Sequence, residues 1–93
     1  MIHAITTFII DDEFQSRNFL HKMLQQYFPE LEVIGEASSV KDGLKGIIEC
    51  KPDIVFLDIQ LQDGTGFDLL GRLPKMDFAI IFITAYDQYA IKA

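Results

Sequence analysis

Ninety-three residues suffice for one small domain, and a chain this short buries only about 60% of the surface its unfolded form exposes. Hydrophobic residues at 49% and charged residues at 24% exclude a disordered or fibrous chain. Fourteen acids against eight bases, a formal charge of −6, exclude a segment that grips nucleic acid through its phosphates, since that affinity comes from cations displacing counterions.

The first predicted element is a strand, Ile5 to Ile10, ending abruptly at Asp11-Asp12-Glu13. Phe14, Leu20, Met23, Leu24, Tyr27 and Phe28 then recur mostly at helical spacing; Asp12 with Gln15 three residues on is read as its N-terminal cap, and Pro29 stops it. Leu31, Val33 and Ile34 form a second strand, closed by Gly35 to Ser38. Ser39 with Asp42 predicts the next N-cap, ahead of Val40, Leu44, Ile47 and Ile48. Gly43 and Gly46 weaken that helix by about 1 kcal/mol each unless they admit close packing on a sheet. Cys50 near its end is expected to pack as a small residue, and Lys51-Pro52-Asp53 breaks it. Ile54 to Leu57 is continuously apolar and runs into Asp58, the pattern of a strand buried on both faces. A loop from Gln60 to Gly66, with Asp63-Gly64 as turn residues, precedes a short helix carrying Phe67, Leu70 and Leu73 and stopped by Pro74. Ala79 to Ile83 is a fourth buried strand, followed by Thr84-Ala85 and the start of another helix.

Strands alternating with helices predict parallel pairing through right-handed crossovers and helices on both faces of one open α/β sheet. In such a sheet a ligand binds beyond the carboxyl ends of the strands. Those ends carry Asp11 and Asp12, Asp58, and Thr84. Taken singly, each has a plain structural reading: a strand terminator, a helix cap or a turn residue. Taken together, three carboxylates and a hydroxyl meet at one rim, and their repulsion calls for a raised pKa or a cation. Oxygen donors without His or Cys select Mg²⁺, Mn²⁺ or Ca²⁺ over zinc. His3 and His21 have no partners at ligand spacing, and Glu13, Glu30, Glu32 and Glu36 read as surface charge. Cys50, the single cysteine, forms neither an internal disulfide nor a thiolate metal site. With no apolar run of roughly 18 residues and no signal-like N-terminus, the expected setting is the cytoplasm, away from membranes.

Ile10 to Glu13, Lys51 to Ile59 and Ile83 to Tyr86 together resemble the receiver domain of two-component response regulators, in that family's order and spacing. Asp58 to Leu61 and Thr84 to Ala90 are most similar to receivers joined to LytTR-type DNA-binding domains. The resemblance implies a flavodoxin-like, doubly wound parallel sheet with strand order 2-1-3-4. It implies that Asp58 accepts a phosphoryl group from a sensor histidine kinase and that the chain is otherwise no enzyme. Mg²⁺ would be held by Asp12 directly, Asp11 through water, Asp58, and the backbone carbonyl of Gln60, while the Thr84 hydroxyl bonds the phosphoryl group. An attached effector would regulate transcription, with no nucleic-acid contact by this segment itself.

Two departures bear on that expectation. Leu61-Gln62 stands where the family often has Met-Pro. The chain is also expected to be a single receiver domain, residues 1–93, incomplete at its C-terminus: against the resemblance, these residues stop short of the family's fifth strand and fifth helix, which carry its phosphoryl-pairing lysine and switch aromatic, and Lys92 does not match that lysine. The fourth strand, with Ile80 and Phe82, is then an apolar edge, and a homodimer or domain-swapped oligomer through the fourth strand and helix is expected.

Three rival readings bear on the same residues. A phosphotransferase of the haloacid-dehalogenase type needs a second acid two residues after its nucleophile, where Gln60 stands. A flavodoxin-like electron carrier needs a Ser/Thr/Gly-rich loop after the first strand, where three acids stand. An interaction module with a relic acidic pocket stays open.

Overall fold

The computed structural model describes residues 4–83, and Thr84, the residues after it and His3 lie outside them. The elements in chain order are β1 (Ile5–Ile10), α1 (Phe14–Tyr27), β2 (Leu31–Ala37), α2 (Val40–Cys50), β3 (Ile54–Asp58), β4 (Gln60–Leu61), β5 (Gly64–Thr65), α3 (Gly66–Arg72) and β6 (Ala79–Ile83).

Four strands make one parallel sheet in the order β2-β1-β3-β6, which is the expected 2-1-3-4 counted over the main sheet. β1 and β3 are central, and their apolar runs are buried on both faces because each face carries helices. On one face Ile9 and Phe56 pack against Leu20 and Leu24 of α1. On the other, Phe8, Ile10, Val55 and Leu57 pack against Val40 and Ile47 of α2 and Leu69 of α3.

The two glycines of α2 are the close-packing kind. A methyl at Gly46 would overlap the ring of Phe8, and one at Gly43 would come within 2.8 Å of Leu69 and 2.9 Å of Ile10. The helix approaches the sheet only because those methyls are missing, which offsets their cost in helix propensity.

Several local expectations are corrected. The face of α1 that meets the sheet is narrower than its apolar pattern: Phe14, Tyr27 and Phe28 are exposed, and only Leu20 and Leu24 are buried. Asp12 and Gln15 do not cap it; Glu13 is the N-cap without a side-chain cap bond, and Asp11 Oδ1 accepts the Glu13 N–H at 2.9 Å. β2 runs on through Ala37 because a bulge at Ile34 resets its pairing with β1. In α3, Leu69 is buried and Phe67 is exposed, 5.2 Å from the ring of Phe82. Cys50 and Ile48 are exposed, not packed, and β6, expected as a buried strand, exposes Ala79, Ile81 and Phe82 because it is an outer strand of the described sheet. Among the described residues, no helix is long and apolar enough to cross a membrane.

Candidate functional site

Register brings the site together. Ile10 lies level with Leu57, and Asp58 level with Ile83, so the residues that follow β1 reach the height at which β3 ends. Asp11, Asp12 and Asp58 each place a carboxylate oxygen within 4.8 Å of the other two. Asp11 is buried, while Asp12 and Asp58 are half-buried. At such separations each pair of like charges costs on the order of a few kcal/mol at the effective dielectric of a protein rim.

Few donors answer that charge. Asp11 Oδ1 takes the Glu13 amide, and Asp58 Oδ1 takes the Gln60 amide at 3.4 Å. Burial pushes the Asp11 carboxyl up to about 6, against the Glu13 hydrogen bond that holds it down, and Asp58 and Asp12 add to the rise. Burial likewise raises Asp58, against the amides of Gln60 and Ile59. The arrangement is therefore an anionic hollow whose occupants resist full ionisation. A divalent cation is the ligand that would relieve it.

The donor set fits a hard cation: three carboxylates, no sulfur and no imidazole. Gln60 lies two residues past Asp58, at the start of β4 with its side chain exposed. Thr84 lies outside the described residues, though Ile83 before it lines a cleft of about 320 Å³ shared with Asp11, Glu13, Phe19, Met23 and Asp58.

The loop that carries Asp58 onward is tied down in ways the sequence did not advertise. β4 and β5 pair as an antiparallel hairpin where a plain loop was expected. Asp63, expected as turn chemistry, accepts the amides of Val40 at 2.6 Å and Lys41 at 3.2 Å, while Ser39 Oγ takes that of Asp42 as predicted. Three N-terminal amides of α2 are thus satisfied, and the two that reach Asp63, that of Val40 foremost, hold its carboxyl below its usual range. Thr65 and Asp68 form a capping box on α3. Gly66 is required by contact, because a Cβ there would lie 2.6 Å from the Asp58 carbonyl oxygen.

His21 and Glu36 are the other correction. They are not isolated surface groups: His21 Nδ1 meets Glu36 Oε2 at 3.1 Å, and Arg17 Nε meets Glu36 Oε1 at 3.2 Å. The pairing spans α1 and β2, so no local spacing announces it.

Residues 7–93 match the response regulator receiver domain family. The chain belongs to that family. As a receiver domain it is 48% identical over 87 residues to the sensory transduction protein LytT of Bacillus cereus, covering 91% of this chain and 35% of that protein. The receiver domain thus spans about a third of the length of the curated relatives it matches. Among solved structures it is similar to the response regulator PhyR from Brucella abortus, with a TM-score of 0.80 and 32% identity over 92% of this chain and 35% of that one. It is also similar to the MaeR response regulator bound to beryllium trifluoride, with a TM-score of 0.79 and 26% identity over 94% of this chain and 72% of that one.

Proposed function

We propose that this receiver domain accepts a phosphoryl group on Asp58 from the phosphohistidine of a sensor kinase, in the cytoplasm, and that the modification controls an attached effector that regulates transcription. The observation that carries the reading is the convergence of Asp11, Asp12 and Asp58 at the carboxyl rim of a parallel sheet. MaeR, similar in fold, holds beryllium trifluoride, a small group that mimics phosphoryl, and we extend that capacity to this chain.

In the proposed reaction an Asp58 carboxylate oxygen attacks phosphorus. The P–N bond to the donor histidine breaks as the new O–P bond forms, and the leaving imidazole takes up a proton from solvent. Asp58 must be ionised to attack, and its half-buried place at the strand end keeps it weakly solvated and nucleophilic. The Gln60 amide orients one of its oxygens. The tied hairpin behind it, through Asp63 and Gly66, keeps the acceptor from drifting. Asp11, Asp12, Asp58 and the Gln60 carbonyl would hold Mg²⁺, which when bound supplies positive charge against the phosphoryl oxygens. Thr84, next after Ile83 in the chain, would donate its hydroxyl to the product phosphoryl group. The chain makes one adduct per acceptor and does not turn over a substrate.

We also propose that a second copy pairs along β6, where Ile81 and Phe82 are exposed. Phe82→Lys should then shift the species seen by size exclusion towards monomer.

Incubation with acetyl phosphate and Mg²⁺ tests the main reading. It should give one hydroxylamine-labile phosphoryl adduct, mapped to Asp58 by peptide mass and absent from Asp58→Asn. Labelling that survives in Asp58→Asn would contradict the assignment. Absence of any adduct in wild type would favour the relic-pocket reading.

A further inference from the structure

The main chain between the paired acids is held from outside the site by one guanidinium. Arg17 sits in the first turns of α1 with its side chain only 16% exposed. Its Nη1 donates to the Asp11 main-chain oxygen at 2.7 Å, its Nε donates to Glu36 Oε1 at 3.2 Å, and the ring of Phe14 lies 5.7 Å away. Glu36, the next-to-last residue of β2, is itself fixed on its other oxygen by His21 Nδ1 at 3.1 Å. A carboxylate only accepts, so His21 carries a proton on Nδ1.

The ladder between β1 and β2 closes at Ile10 and Ala37, and the Asp11 amide donates to the Ala37 oxygen at 3.0 Å. The Asp11 carbonyl turns to Arg17 instead. That carbonyl belongs to the peptide joining Asp11 to Asp12, so its orientation sets where both carboxylates hang. The guanidinium reaches main chain and Glu36, not the carboxylates of the cluster. It therefore acts by orientation and not by neutralising the cluster.

We propose that Arg17, braced by Glu36, is a positioning residue that presents Asp11 and Asp12 in their cation-binding arrangement. This rests on the cation-site reading given above. The fork matters: Nε and Nη1 span two acceptors at once, which a lysine ammonium cannot do from the same backbone.

The test is a titration with Mg²⁺ alone, followed by ¹⁵N NMR and paired with thermal melts. It compares wild type, Arg17→Gln, Arg17→Lys, Glu36→Gln, and Lys22→Gln as an exposed charge control on the same helix. Arg17→Gln should weaken Mg²⁺ binding about tenfold, the loss typical of groups that orient metal ligands. It should also move the Asp12 amide resonance of the metal-free protein. Arg17→Lys should recover only part of the affinity, and it stands in should Arg17→Gln fail to fold. Glu36→Gln, whose amide oxygen still accepts from Nε, should stay near wild type, as should Lys22→Gln. An Arg17→Gln or Arg17→Lys protein that melts lower yet binds Mg²⁺ as wild type does would reduce Arg17 to a staple between α1 and β2. Equal weakening by Lys22→Gln would make the effect one of net charge. Wild type that takes up no Mg²⁺ at all would remove the cation site itself, and this inference with it.

Discussion

At the amino-terminal rim of the sheet, Asp53 is surrounded by donors. Its Oδ2 accepts the Thr6 amide at 2.9 Å and the Thr6 hydroxyl at 3.0 Å, while its own amide donates back to Thr6 and its carbonyl takes the amide of Ala79 at 2.9 Å. One aspartate thereby clamps the starts of β1, β3 and β6. At the carboxyl-terminal rim, Asp11, Asp12 and Asp58 face one another, with the amides of Glu13 and Gln60 as donors to two of them. The same side chain is a structural clasp at one rim and an unmet charge at the other. What separates a site from a scaffold here is the ratio of carboxylates to donors, not the presence of carboxylates.

The comparison can be broken most severely at Asp53. Asp53→Ala should cost about 2 kcal/mol of stability in a denaturant melt, since both hydrogen bonds to its carboxylate are lost together. Mg²⁺ affinity of the folded protein should be unchanged, and a loss of affinity there would show that the two rims are not separate.

Asp11→Asn should act in the opposite direction. The Asp11 carboxyl sits near 6, above its usual 3.8, so the folded chain binds a proton more tightly than the unfolded one. In metal-free buffer its contribution is therefore most favourable below about pH 4 and is lost as pH rises through about 6. Asp11→Asn should flatten that decline and stabilise the protein above pH 6, by about 1 kcal/mol after solvent screening at an open rim. A variant less stable than wild type above pH 6 without metal would contradict this.

The smallest effect is expected at Asp63, whose carboxyl is held below its usual value by the amides it caps. Its contribution is present above about pH 4 and fades as pH falls through that lowered value. Asp63→Asn should lower the melting temperature slightly at neutral pH, and by progressively less as the solution is acidified below pH 4. A loss that grows on acidification would show that the cap is not charge-assisted.

The central strands were legible because Ile54 to Leu57 are apolar without interruption, while Ile5 to Thr7 are all β-branched and lead into the apolar Phe8 to Ile10, runs that suit strands covered on both faces. The three aspartates were legible for the same reason: each stands where an apolar run stops, and parallel register then levels those stops. Contacts between distant segments were not legible. Asp63 caps a helix that begins 23 residues earlier, and Glu36 meets Arg17 and His21 across a crossover, so neither leaves a spacing to read. The β4–β5 hairpin is two residues per strand, too short to show an alternation. The aromatics of α1 misled because the pattern counts apolar residues, whereas the sheet covers only the stripe through Leu20 and Leu24.

The claim on which the account rests is that Asp11, Asp12 and Asp58 act as one site for one divalent ion. A residue-resolved Mg²⁺ titration of the wild-type chain, read on backbone amides, tests it directly. The account predicts that amides at Asp11 to Glu13 and at Asp58 to Gln60 shift along one shared saturation curve. Separate curves for the two strand ends, or a response at one of them alone, would contradict it.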